Sequence, residues 1–385
     1  MAQTIAIFSA QYAPHLGGVE RFTAGLGAAL EARGVHAVVV STAHEGAPEH
    51  EIQPDGVEVF RLPARQVLDG RLPITLPGAR TDELLAQVAA LEPSGVLVNT
   101  RFYEQSVVGC AFAYELGVHP VVLEHGSSYI GFGVPGVDTA VHAHEHLATR
   151  RVLAYRPVFY GVSEMARAWL STFGIEGRGV IHNAVDAAAF RAGASERDFR
   201  AELGIPADAL LVAFTGRLVY DKGADVVARA AQLVAERGCT AHFAIAGDGP
   251  EREQIEREAG PNTHLLGRVS SQDVAALLQQ ADLFLFPSRY PEGMPTSILE
   301  AAACGLTSLA TNVGGVREVM PSDEYGFVFD ELPAEVCAEA VAFYDENRDV
   351  LAAQGALCRA RVEQEFSWEK TAAAVVAACE EAQRA

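Results

Sequence analysis

The chain has 385 residues, 49% of them hydrophobic and 21% charged, with a formal net charge of −21. That length suits two domains of ~100–200 residues each, and the apolar fraction excludes intrinsic disorder. Such acidity excludes a general nucleic-acid binder and broad adsorption to anionic membranes, so any phosphate must be met by a few well-placed cations.

The elements follow a repeated order. Near the start, TIAIFSAQYAPHLGGVERFTAGLGAALEARG predicts strand, Gly-containing loop, amphipathic helix and closing Gly. Midway, LLVAFTGRLVYDKGADVVARAAQLVAERG predicts the same series. Each is the opening unit of a doubly wound α/β domain, and two copies imply two domains. The first continues with AVVVST, GVLVNT, PVVLEHG and VFYGVS; the second runs through AHFAIAG, THLLG, LFLFPS, TSLAT and GFVF. Apolar runs without alternation indicate parallel strands covered on both faces. The polar stretch from Asp186 to about Arg200 reads as a linker, and the tail from Ser367 as a terminal helix with Ser367 as its N-cap. The expected boundaries are 1–188 for the first domain and 189–366 for the second.

The six cysteines lie mostly among small apolar residues and lack a Cys-x-x-Cys pair, so they read as reduced core residues. No signal peptide or run of ~18–20 apolar residues is evident, and the expectation is a cytoplasmic protein.

Four constellations could carry chemistry. In PSRYPEGMPTSILEAAACG, Glu292 opens a loop containing Gly293, Met294 and Pro295. A helix is expected to begin near Thr296 and Ser297 and to carry Glu300. Backbone N–H groups at a helix start attract an anion, and two carboxylates flanking it can grip hydroxyls, which suits a sugar nucleotide. A capped surface helix with Glu300 exposed fits the spacing equally. In FTGRLVYDKG, Gly216, Arg217 and Lys222 leave a strand end; the two cations read as a diphosphate clamp or as a solvated turn. Lys222 is one of only two lysines in the chain. Gly17 and Gly18 permit close backbone approach or simply a tight turn. His125 ends a buried strand, where open α/β sheets place ligands, although a lone His is more often a packing residue.

EGMPTSILEAAACG followed by TSLATNVGGVREVM resembles the donor-site signature of retaining glycosyltransferases of family 4, and the resemblance extends over nearly the whole chain. It implies the α/β GT-B fold, two facing Rossmann-like doubly wound parallel-sheet domains with an interdomain cleft. It also implies an N-terminal acceptor domain on which the 367–385 helix packs back, and a C-terminal donor domain. Glu292 would bind hydroxyls of the donor hexose and Glu300 the ribose. Arg217 and Lys222 would bind the diphosphate and stabilise its departure, a job otherwise done by a metal. His125 would face the donor sugar near the reacting carbon, and Gly17–Gly18 would approach the donor phosphate. Arg268 and Val269 would border the nucleobase. His125, Arg217, Lys222 and Glu292 are therefore the expected catalytic set.

The implied reaction is hexose transfer from a nucleoside-diphosphate sugar, a UDP-sugar ahead of a GDP-sugar, to an acceptor hydroxyl. No cofactor or metal is expected, no nucleic-acid partner, and membrane contact at most peripheral. His142–His146 reads as a polar loop rather than a metal site, and the Arg150–Arg156 patch as a solvated helix face. Ser163, Asn183 and Asp186 read as structural. Glu20 and Glu124 have open roles. Three alternatives compete: a sugar-nucleotide enzyme such as a 2-epimerase, a non-catalytic GT-B subunit, and a Rossmann oxidoreductase. AGDGPERE lacks the third Gly of a dinucleotide fingerprint, which counts against the oxidoreductase.

Overall fold

The structure, a computed structural model, describes residues 3–15, 17–67, 72–131 and 134–384. The chain forms two compact units, residues 1–184 with 368–385 and residues 185–367.

The first unit holds strands β1 (Thr4–Phe8), β2 (His36–Thr42), β3 (His50–Ile52), β4 (Glu58–Leu62), β5 (Ala64–Val67), β6 (Leu72–Thr75), β7 (Gly95–Asn99), β8 (Val121–Glu124), β9 (Val158–Gly161) and β10 (Gly179–Val180). Eight of them form one sheet in the order β10-β9-β8-β7-β1-β2-β4-β3. All pairings are parallel except β3 on β4. β5 and β6 make a separate antiparallel hairpin. The central strands β1, β7 and β8 are buried at every position, as their unbroken apolar runs require when helices cover both faces. The core packs Phe8, Val38, Val40, Val96, Val98 and Val122 against helix residues such as Val107 and Phe112.

The second unit holds β11 (Leu211–Thr215), β12 (His242–Ala246), β13 (Thr263–Gly267), β14 (Leu283–Phe286), β15 (Thr307–Thr311) and β16 (Gly326–Phe329). They form an all-parallel sheet, β13-β12-β11-β14-β15-β16. In chain order this is 3-2-1-4-5-6, the doubly wound order whose reversal point lies between the first and fourth strands. The first unit repeats that reversal between β1 and β7.

Two sequence expectations need correction. Asp186–Arg200 is not an irregular linker: it contains the helix Ala187–Ala192 and the start of the helix Phe199–Leu203. Each is nucleated by an aspartate cap, Asp186 accepting from the Ala189 N–H and Asp198 from the Ala201 N–H. His142–His146 lies within the helix Pro135–Leu153, not on a loop. Its rings make local contacts, His142 stacking on Tyr129 and His146 Nε2 meeting the Tyr129 hydroxyl at 2.8 Å.

The last helix, Trp368–Ala382, belongs to the first unit. Trp368 packs on Phe22, the Thr371 hydroxyl donates to the His182 carbonyl, and Arg178 pairs with Glu381. All six cysteines are free. Burial pushes the thiols of Cys110, Cys337, Cys358 and Cys379 up to about 12, which leaves them unreactive. Among the described residues no helix is long and apolar enough to cross a membrane.

Gly223 starts the helix Ala224–Glu236 at φ 71°, where an added Cβ would lie 2.2 Å from the Pro287 carbonyl oxygen. The loops after β11 and β14 meet at that point. Gly223→Ala should therefore cost about 1–3 kcal/mol, combining left-handed strain with a backbone clash. Urea denaturation checks this; unchanged stability would show that the two loops can separate freely.

Candidate functional site

β11 and β14 are adjacent strands at the reversal point of the second sheet, and the loops leaving their C-terminal ends carry most of the expected donor residues. The β11 loop runs through Gly216 and Arg217 to a 3-10 turn at Tyr220–Lys222. The β14 loop carries Ser288 and Glu292, then Gly293, Met294 and Pro295, before the helix Thr296–Ala303.

The two loops are tied together. Lys222 Nζ pairs with Glu292 Oε1, which also accepts from the Ser288 hydroxyl at 3.2 Å. The Asp221 carbonyl accepts from the Arg289 N–H at 2.7 Å and the Tyr290 N–H at 3.1 Å. The Arg289 guanidinium forks onto both Asp225 oxygens, at 2.8 Å each. Arg217 is exposed, and its side chain makes no hydrogen bond or ion pair among the described residues. It offers a planar fork at the strand end.

The helix Thr296–Ala303 has Pro295 at its N-cap, no side-chain cap and no acidic residue in its first turn. Its leading N–H groups keep the positive end of the helix dipole unneutralised by a local side chain. Met294 is buried beneath the loop, and Thr296 and Ser297 are half-buried. Glu300, in the second turn, is also half-buried. Gly314 at φ 55° brings its backbone against the Glu292 and Gly293 carbonyls, while the Gly315 N–H donates to the Gly293 carbonyl at 2.9 Å. Arg268 and Val269 follow β13, the edge strand two places from β11, so they stand at the same end of the sheet but apart from the Lys222–Glu292 group.

The remaining expected residues lie in the first unit. Gly17 is the N-cap of the helix Gly18–Ala32, and the Glu20 carboxylate in the first turn lies against Gly17 and within 3.4 Å of His15 Nδ1. His125 follows β8 and donates from Nε2 to Asn99 Oδ1, 3.0 Å away at the end of β7. Phe22 meets the His125 ring edge-on at 4.8 Å. Burial pushes the imidazole down to about 3, so it stays neutral at working pH.

Glu124 does not point to a ligand. It pairs with Arg101, which also holds Glu145 at 2.8 Å, and all three side chains are at most 1% exposed. The Arg101 guanidinium lies 3.7 Å from the centre of the Phe173 ring. The free carboxylate oxygens accept from the Gly126 N–H at 3.0 Å and the Ile130 N–H at 2.9 Å. The triad thus holds the loop after β8 at residues 126 and 130. Sequence reading left Glu124 open and missed Arg101 and Glu145; the only signal was a lone charge in an apolar strand.

With this geometry in place, the chain can be set beside known proteins. Residues 16–189 match the family described as Glycosyltransferase Family 4, and residues 195–356 match Glycosyl transferases group 1. The chain belongs to glycosyltransferase family 4 and is a glycosyltransferase. It is 27% identical over 371 residues to the GDP-mannose-dependent alpha-(1-6)-phosphatidylinositol dimannoside mannosyltransferase of Mycobacterium tuberculosis, covering 95% of this chain and 93% of that one. It is 31% identical over 179 residues to the GDP-mannose-dependent monoacylated alpha-(1-6)-phosphatidylinositol monomannoside mannosyltransferase of Corynebacterium glutamicum, covering 44% of this chain and 47% of that one. In structure it resembles sucrose-phosphate synthase from Thermosynechococcus elongatus, with a TM-score of 0.75, 20% identity and 98% of both chains covered. It also resembles Anabaena Alr3699/HepE in complex with UDP, with a TM-score of 0.73, 19% identity and 99% and 100% covered. The fold is GT-B.

Burial, opposed by the Ile130 N–H and Arg101, raises the Glu145 carboxyl from 4.5 to about 7. The folded state then holds this proton more tightly than the unfolded chain. Its contribution favours folding most below about pH 4.5 and is lost as pH rises through about 7. Glu145→Gln should flatten the fall in Tm across that window. Parallel Tm–pH curves for the two proteins would contradict the assignment.

Proposed function

We propose that the chain is a retaining, metal-independent glycosyltransferase that moves a hexose from a nucleoside-diphosphate sugar to an acceptor hydroxyl. The observation that carries this reading is the group at the reversal point of the second sheet: Arg217, Lys222, Glu292 and the start of the helix Thr296–Ala303.

Lys222 and Arg217 meet the diphosphate, one as a point charge and one as a fork, and the leading N–H groups of the helix add a dipole of the same sign. Together they stabilise charge on the departing nucleoside diphosphate. Glu292 accepts from donor hexose hydroxyls and Glu300 from the ribose. Gly293, Met294, Pro295, Thr296 and Ser297 form the wall between them, Gly216 lets the β11 loop approach, and Arg268 and Val269 border the base. The first unit takes the acceptor, with His125 and Gly17–Gly18 at the C-terminal end of its sheet. Departure of the leaving group leaves an oxocarbenium-like centre, which the acceptor hydroxyl attacks from the same face. A donor phosphate oxygen takes the acceptor's proton.

UDP appears with Alr3699/HepE, and GDP-mannose in the names of the mycobacterial and corynebacterial relatives, so UDP-sugars and GDP-sugars are both first candidates. The phosphatidylinositol-based names of those two relatives support polyol hydroxyls as first acceptors to screen. The reaction is placed in the cytoplasm, with membrane contact at most peripheral.

Lys222→Ala should weaken binding of UDP or GDP at least about tenfold in calorimetry, the scale of one lost charge-assisted contact. Unchanged affinity would remove the clamp. Sugar transfer should also persist in excess EDTA; complete loss restored by a divalent ion would contradict the metal-free reading.

A further inference from the structure

The polar contacts around His125 form a chain whose direction is fixed at its far end. The Thr23 hydroxyl lies 2.7 Å from the Val19 carbonyl. A carbonyl only accepts, so the single hydroxyl proton of Thr23 points there. The Ser9 hydroxyl, 3.4 Å from Thr23, directs its own proton to the Gln11 carbonyl at 2.9 Å. Thr23 Oγ1 is then an acceptor for Asn99, whose amide nitrogen sits 2.8 Å away. That orients the Asn99 carbonyl oxygen toward His125 Nε2, at 3.0 Å. Turning the amide over would set its oxygen against a hydroxyl with no proton to give and its NH2 against the ring nitrogen. Asn99, Thr23 and Ser9 are at most 2% exposed, so water cannot relax the constraint.

The ring is neutral, and a neutral imidazole has one donor and one acceptor. With Nε2 donating to Asn99, Nδ1 carries the lone pair. Nδ1 makes no hydrogen bond among the described residues, and His125 retains partial exposure.

We propose that Asn99 is a positioning residue that holds the His125 proton on Nε2, so that Nδ1 serves as an acceptor for a hydroxyl of a sugar substrate. The identity of that hydroxyl rests on the glycosyl-transfer reading; the proton's position does not. A neutral ring so reluctant to take a proton orients a hydroxyl rather than removing its proton as a general base. Thr23 supports Asn99 from the first helix of the unit, so the helix after the Gly17–Gly18 loop, the end of β7 and the end of β8 are linked by one line of donors.

Ring 15N NMR on histidine-labelled protein tests the proposal, with the His125 signal assigned by its loss in His125→Gln. The expected result is a protonated, pyrrole-like Nε2 and a bare, pyridine-like Nδ1. Asn99→Leu, which removes the acceptor, should populate the other tautomer. In turnover of UDP-glucose or GDP-mannose, Asn99→Leu should lose about tenfold in kcat/KM. A proton on Nδ1 in the wild-type protein would overturn the proposal without any variant having to fold. An unchanged tautomer in Asn99→Leu would overturn the part played by Asn99, and an altered tautomer with unchanged kcat/KM would overturn the hydroxyl contact. Failure of both donors to turn over would count against the reading of the reaction, and the NMR signals would still decide the proton's place.

Discussion

Two loops that leave adjacent parallel strands are bound directly to each other, and the candidate donor site depends on that. Lys222 from the β11 loop pairs with Glu292 from the β14 loop, and the Asp221 carbonyl gathers two backbone N–H groups from residues 289 and 290. Gly223 permits the approach because no side chain stands between its backbone and Pro287. The result holds a cation, a carboxylate and a helix start in fixed positions. Preorganisation of this kind lets charge developing on a leaving diphosphate meet groups that need not reorganise.

The first unit uses the same topology with a different filling. Its reversal point carries a neutral imidazole set by Asn99, and beside it a buried arginine shared by two carboxylates. Burying such a triad is costly, and here the spare carboxylate oxygens take N–H groups of the loop they border, while Arg101 Nε has no hydrogen-bond partner among the described residues. The acidic chain thus spends buried charge on holding backbone in place.

The sheets were legible because parallel strands buried on both faces read as unbroken apolar runs. LLVAFTG, LFLFPS and TSLAT could be placed as strands for that reason. ARQV and LPIT, a half-exposed hairpin of mixed polarity, carry no such signature. Asp186 and Asp198 each cap a short helix where polarity alone suggested a linker. Positions at strand ends, such as Arg217, Glu292 and His125, were readable, since topology puts strand ends together. Their partners were not. Asn99, Arg101 and Glu145 meet His125 and Glu124 from separate elements, and a single sequence carries no record of such pairing.

The most direct test is a crystal structure of the chain with UDP or GDP bound. The account predicts the β-phosphate within hydrogen-bond distance of Lys222, Arg217 and the first N–H groups of the helix Thr296–Ala303, with the ribose on Glu300. A nucleotide bound elsewhere, with none of these groups in contact with phosphate, would contradict it.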